Sequence, residues 1–250
     1  MNYLRNLRLE LVQKIDENAK SLAGELYENG KISEKILRTI IDLYASSKVE
    51  QDLKGKNFDS AYHTPVTGDL ELFISRIIYH YLVPHDSNWR VLLRKQKSKA
   101  APDIRIVNNN ENIAIVEIKA SAGWIQPFIS NARYDRDKNM EIAKKTNFDP
   151  DKFIAQQKNQ LDKYQEVFKL HPKDIFYLLP TVAAAHRKTD AETIADYHDN
   201  FQRVSGLPKE NLILLSSNLS LKLSDNIIKE ELCPTEDFEN MLRSIKSKSK

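Results

Sequence analysis

Residues 102–119 read Pro-Asp-Ile-Arg-Ile-Val-Asn-Asn-Asn-Glu-Asn-Ile-Ala-Ile-Val-Glu-Ile-Lys. Two runs rich in β-branched residues flank an asparagine-rich turn over 108–112, and asparagine accepts the left-handed backbone that tight turns need. The stretch therefore predicts a strand over 102–107 and a second over 113–119. With the hairpin centred on Asn110, residues equally distant from the centre face each other, so Asp103 lies opposite Glu117. Alternation puts Ile113, Ile115, Glu117 and Lys119 on one face and Ala114, Val116 and Ile118 on the other. Both faces stay apolar until the strand's end, which marks a central strand covered on both sides. Two carboxylates and one amine are then gathered at one end of a buried sheet. Such charges are costly to desolvate unless something pairs them. A divalent cation does so, because hard cations take carboxylate oxygen.

Pro102-Asp103, thirteen residues, then Glu117-Ile118-Lys119 resembles the PD-(D/E)xK nuclease signature, shared by type II restriction endonucleases and RecB-type nucleases. The surrounding strand-turn-strand context, with the polar residues on facing positions, is what gives the short pattern weight. The resemblance implies an α/β restriction-endonuclease-like core, a central mixed β-sheet flanked by helices. It covers about residues 64–184.

Composition sets the outer bounds. The chain has 250 residues, enough for one sizeable domain with arms. The longest apolar runs fall far short of a membrane span, and Met1-Asn2-Tyr3-Leu4-Arg5 lacks the apolar core of a signal peptide. A single cysteine, Cys233, excludes an internal disulfide and any four-cysteine cluster, so a reducing cytoplasm is the expected location. The net charge of +3 permits contact with DNA without arguing for it. The six histidines are scattered without zinc-site spacing, and no glycine-rich phosphate loop occurs.

Residues 3–28 and 33–46 carry helical apolar periods separated by Gly30, with Ser33 as the expected N-cap. They predict an N-terminal helical hairpin over 1–60, a scaffold layer or dimerisation surface. The nuclease core is expected over 61–235, and a short helix with a basic tail of Arg243, Lys246, Lys248 and Lys250, expected to be disordered, over 236–250. Thr64-Pro65-Val66-Thr67 signals a helix through about Leu82. Family members often supply a carboxylate from the helix before the first strand, and Glu71 fills that slot. The alternative is an acid that complements the helix dipole. Asn88–Lys95 reads as a strand, and Lys95, Lys97 and Lys99 as a solvated loop or a phosphate contact.

Beyond the hairpin, residues 120–150 are a long, charged connection. Arg133, Arg136 and Lys138 there have the chemistry to meet base edges or phosphates, the alternative being a surface insertion with ordinary ion pairs. A helix follows over 152–169. Its Gln160 and Tyr164 resemble the QxxxY element of RecB-type nucleases and share one helical face. The alternative is a solvated glutamine beside a core tyrosine. Ile175–Ala184 predicts a buried strand parallel to the one carrying Glu117, followed by a helix over 191–204, a strand over 211–217 and a last helix over 238–245.

The resemblance implies a metal-dependent deoxyribonuclease, with Asp103, Glu117 and Lys119 as catalytic residues. Asp103, Glu117 and Glu71 would be the metal ligands, with the Ile118 carbonyl as a neutral ligand. An all-oxygen set implies Mg²⁺, with Mn²⁺ as a substitute. A type II restriction endonuclease cutting double-stranded DNA is the first expectation. That class implies a homodimer and a cognate DNA methyltransferase as companion. The alternatives are a RecB-like exonuclease or structure-specific nuclease of a defence or repair system, and a non-catalytic nucleic-acid-binding module on the same fold.

Overall fold

The strands are β1 (Trp89–Leu93), β2 (Ile104–Asn108), β3 (Glu111–Ile118), β4 (Ile175–Leu179) and β5 (Leu212–Leu214). They form one mixed sheet in the order β1-β2-β3-β4-β5. The first three pair antiparallel, and β3, β4 and β5 run parallel. The computed structural model describes residues 3–46, 66–120, 125–129, 149–183, 193–223 and 231–248.

The hairpin closes more tightly than the five-residue turn predicted. Asn109 and Asn110 take φ of 49° and 66° between the paired Asn108 and Glu111. Two consecutive left-handed residues are what a type I′ turn requires, and its twist suits the flanking strands. A bulge then restores the predicted register. Val107 pairs with Asn112 but Ile106 pairs with Ala114, which leaves Ile113 as the extra residue. Beyond it Ile104 faces Val116, so the next pair in register is Asp103 and Glu117. The bulge also corrects one side-chain assignment, because Ile113 packs with Ala114, Val116 and Ile118 rather than with Ile115.

Seven α-helices are seen among the described residues: α1 (Tyr3–Asn29), α2 (Ser33–Ser46), α3 (Thr67–Leu82), α4 (Gln126–Ile129), α5 (Pro150–Phe168), α6 (Ile194–Ser205) and α7 (Asp237–Lys246). They divide between the two faces of the sheet. Ile15, Leu22, Ile36, Ile40, Phe73, Ile77, Leu242 and Ile245 from α1, α2, α3 and α7 share one core with Ile104, Val116, Leu178 and Ile213. Phe128, Leu161, Phe168 and Phe201 from α4, α5 and α6 share the other with Ile115, Ile175, Tyr177 and Leu214. Each large apolar side chain so buried contributes about 1.5–3 kcal/mol against leaving it in water. β3 and β4 are covered on both faces, as their apolar runs require.

The start of α2 departs from the sequence expectation. Ser33 is its first residue, and the capping acceptor comes from α7. Glu239 Oε1 accepts from the backbone N–H of Ile32 and Ser33 at 2.7 and 2.8 Å, and Glu239 Oε2 accepts from Ser33 Oγ at 2.7 Å. A carboxylate at a helix N-terminus meets unpaired donors and the positive end of the helix dipole.

The described part of the basic tail is packed rather than disordered, because its cations find partners. Arg243 donates to the Gly30 carbonyl, Lys246 lies over the Tyr27 ring, and Lys248 pairs with Asp174. No helix among the described residues is long and apolar enough to cross a membrane.

Candidate active site

Glu117 is the third residue from the C-terminal end of the segment Glu117-Ile118-Lys119, and it lies on the face of β3 that packs against α5. It is 2 % exposed. Both of its oxygens are engaged. Tyr164 Oη, on α5, donates to Oε1 at 2.7 Å, and Lys119 Nζ donates to Oε2 at 3.1 Å. Gln160, one turn before Tyr164 on α5, donates its side-chain amide to Tyr164 Oη. The two residues of the QxxxY pattern therefore reach the acid in series. Burial and the neighbouring Glu117 carboxylate raise the Tyr164 phenol well above its ordinary value, so it stays a donor.

Asp103 precedes β2 and is half-buried. Its Oδ2 accepts from the backbone N–H of Ile118 at 2.9 Å, which ties the two strand ends together. Burial, then repulsion from Glu117, pushes its carboxyl up to about 7, against the smaller opposing pulls of the Ile118 N–H and Lys119. Compensation is thus uneven. Glu117 holds an amine and a phenol, whereas Asp103 has one backbone donor.

Glu71 is brought into the same electrostatic neighbourhood, since its charge also raises the Asp103 carboxyl. It is fully buried on α3, and Arg94 holds it through both Nε and Nη2. The first-turn acid of α3 is Asp69, which pairs with Arg8, so the dipole-complementing role falls to Asp69 rather than to Glu71.

Arg94 and Tyr177 carry no site role in the sequence expectation. Arg94 N donates to the Asp103 carbonyl at 2.8 Å, which sets the two residues opposite each other where β1 ends and β2 begins. The only sequence cue was a positive charge at the end of β1. Tyr177 is the register partner of Glu117 on β4. Its ring is fully buried, and its hydroxyl has no hydrogen-bond partner among the described residues. A polar atom within an apolar strand was the available cue, since buried hydroxyls are nearly always paired.

Lys95, Lys97 and Lys99 are exposed in the connection from β1 to β2, and Lys99 takes a left-handed φ of 61°. Arg133, Arg136 and Lys138 lie outside the described residues, as do Thr64 and Pro65.

Among the described residues, no three acid, histidine or cysteine side chains converge as a ready metal-ligand group. Two of the three expected acids suit a hard cation. Asp103 and Glu117 are adjacent in register, and burial, then repulsion from Glu117, raises the Asp103 carboxyl, so a cation placed between the two would favour its ionised form. Glu71 has the same chemistry, and like Glu117 it has both oxygens engaged, in its case by the guanidinium of Arg94.

No family model, curated protein or solved structure matches this chain. Fold and site together define an α/β protein whose five-stranded mixed sheet, flanked by helices, carries two carboxylates and a lysine at one end.

Proposed function

We propose that this chain is a Mg²⁺-dependent nuclease of the PD-(D/E)xK kind with a restriction-endonuclease-like core, hydrolysing DNA phosphodiester bonds. The observation that carries this is the meeting of Asp103, Glu117 and Lys119 at one sheet end, with Glu117 fixed by Lys119 and Tyr164. Asp103 and Glu117 would hold Mg²⁺ or Mn²⁺, with the Ile118 carbonyl beside them. The bound ion would supply a lowered water pKa and neutralise charge on the phosphate.

The chain's own residues do the rest. Tyr164 and Gln160 keep Glu117 in one orientation, so its carboxylate need not reorganise during the reaction. Lys119 places a positive charge where the phosphate gains negative charge. Within this class a type II restriction endonuclease is the first choice, acting as a homodimer on double-stranded DNA beside a cognate methyltransferase. The Gln160–Tyr164–Glu117 series favours a second reading, a RecB-like exonuclease or structure-specific nuclease.

Incubation of supercoiled plasmid and linear DNA with the protein and Mg²⁺ tests both. Discrete fragments support the restriction enzyme, and progressive trimming of ends supports the exonuclease. No cleavage under any condition leaves a binding module. Asp103→Asn and Lys119→Ala are each expected to abolish cutting with the fold intact. Full activity in either variant overturns the site assignment.

A further inference from the structure

Glu71 and Arg94 form a pair with unequal partners. Glu71 lies near the N-terminal end of α3, between the buried Leu70 and Phe73, and its side chain is only 2 % exposed. Arg94 ends β1, and its side chain is 59 % exposed. The carboxylate is anchored by its helix, whereas the guanidinium comes from the solvent side and can withdraw without opening the core. Its backbone is also unusual. Arg94 takes a φ of 47°, a left-handed conformation that costs a non-glycine residue about 1 kcal/mol or more. Strand alternation would place Arg94 over the Glu117 face. From this conformation its side chain instead runs to α3, which packs on the other face.

Charge balance gives the arrangement a purpose. Three carboxylates, Glu71, Asp103 and Glu117, lie near two cations, Arg94 and Lys119. With all three acids ionised the cluster carries one net negative charge. A divalent ion arriving with Arg94 in place would leave it one charge positive. The same ion arriving as Arg94 leaves makes it neutral and frees a third oxygen ligand.

We infer that Arg94 is a built-in counter-ion that occupies Glu71 in the empty site and is displaced when a divalent cation binds. The inference rests on the nuclease reading of Asp103 and Glu117, and it adds a control over cation affinity that the reading itself does not contain. Displaced Arg94 then presents a free guanidinium beside Asp103, suited to a phosphate oxygen of the nucleic acid.

Mn²⁺ titration of the full chain without DNA, followed by electron paramagnetic resonance, tests this apart from catalysis. Arg94→Ala is expected to bind Mn²⁺ about tenfold tighter than the wild type, and adding Glu71→Gln in that background should remove the gain. Unchanged or weaker binding by a folded Arg94→Ala overturns the counter-ion role. Asp103→Asn separates the two ideas. If it binds Mn²⁺ as the wild type does, or if no form of the protein binds, the cation site itself is wrong and the counter-ion role falls with it.

A second measurement uses the wild-type chain, in case Arg94→Ala does not fold. The Nε–H resonance of Arg94, assigned with Arg94→Lys, is expected to lose its protection from solvent exchange when Mg²⁺ is added. A resonance equally protected at saturating Mg²⁺ also overturns the proposal.

Discussion

Tyr164 Oη donates to Glu117 Oε1 at 2.7 Å, from a helix that packs across the face of β3. The contact joins two residues 47 positions apart and gives a buried carboxylate a neutral donor. Removing that donor leaves the acid under-compensated, at a cost of about 1–3 kcal/mol. Tyr164→Phe should therefore lower the melting temperature by several degrees. DNA cleavage is expected to fall about 10- to 100-fold, as Glu117 loses its fixed orientation. Gln160→Ala, one bond further out, should act in the same direction and more weakly. Melting curves and initial cleavage rates on the two variants check both. Wild-type values in Tyr164→Phe would show the contact to be idle.

The Asp103 carboxyl gives the protein a pH dependence with a definite sign. Its folded value of about 7 lies above that of the unfolded chain. Between roughly pH 4 and pH 7 the folded chain thus holds a proton that the unfolded chain has released. The penalty is absent below about pH 4, builds as the pH rises and is complete above about 7. Asp103→Asn removes it. The variant should melt near the wild type at pH 4 and above it at pH 8, by on the order of 1–3 kcal/mol, or about 3–10 °C. Magnesium at pH 8 should stabilise the wild type and leave the variant unchanged. Thermal melts at the two pH values, with and without Mg²⁺, test this.

Much of this site was legible in one short stretch because its determinants are local. A hairpin's register follows from its turn, so Asp103 and Glu117 could be set opposite each other from the sequence. The tighter turn at Asn109-Asn110 and the bulge at Ile113 cancel, which is why the far end of the hairpin still falls in the predicted register. Gln160 and Tyr164 were legible as a helical pair, although not that they point at Glu117. The relationships that stayed hidden depend on contacts between distant segments. Arg94 meets Glu71 only because β1 ends where α3 begins, and Glu239 caps α2 across 206 positions. No periodicity encodes either contact.

Tyr177 offers a test in which removing a polar group should help. Its hydroxyl is buried without a partner among the described residues, and burial and the charges of Glu117 and Asp103 keep it protonated. An unpaired buried hydroxyl costs about 1–3 kcal/mol. Tyr177→Phe keeps the ring against Phe128 and Phe201 and removes that cost. The variant should be more stable by about 1 kcal/mol in urea denaturation. A less stable Tyr177→Phe would mean that the hydroxyl has a water partner, and the ring's polar end would then belong to a hydrated site.

The clasp between α7 and α2 sets the last expectation. Glu239 is fully buried and accepts three hydrogen bonds, two from backbone donors at the start of α2 that have no other acceptor among the described residues. Glu239→Ala strands both donors and loses contact with Ser33 Oγ, so it should cost about 3 kcal/mol or more. Glu239→Gln keeps one carbonyl oxygen to accept from the backbone and should cost about 1–2 kcal/mol. Ser33→Ala removes only the hydroxyl and should cost about 1 kcal/mol. This order, alanine at 239 worst and alanine at 33 mildest, follows from the number of donors each change leaves unpaired. Urea midpoints at constant m-value measure it. A Glu239→Ala midpoint equal to the wild type would mean that water satisfies the start of α2 as well as the carboxylate does, and the clasp would then contribute nothing to stability.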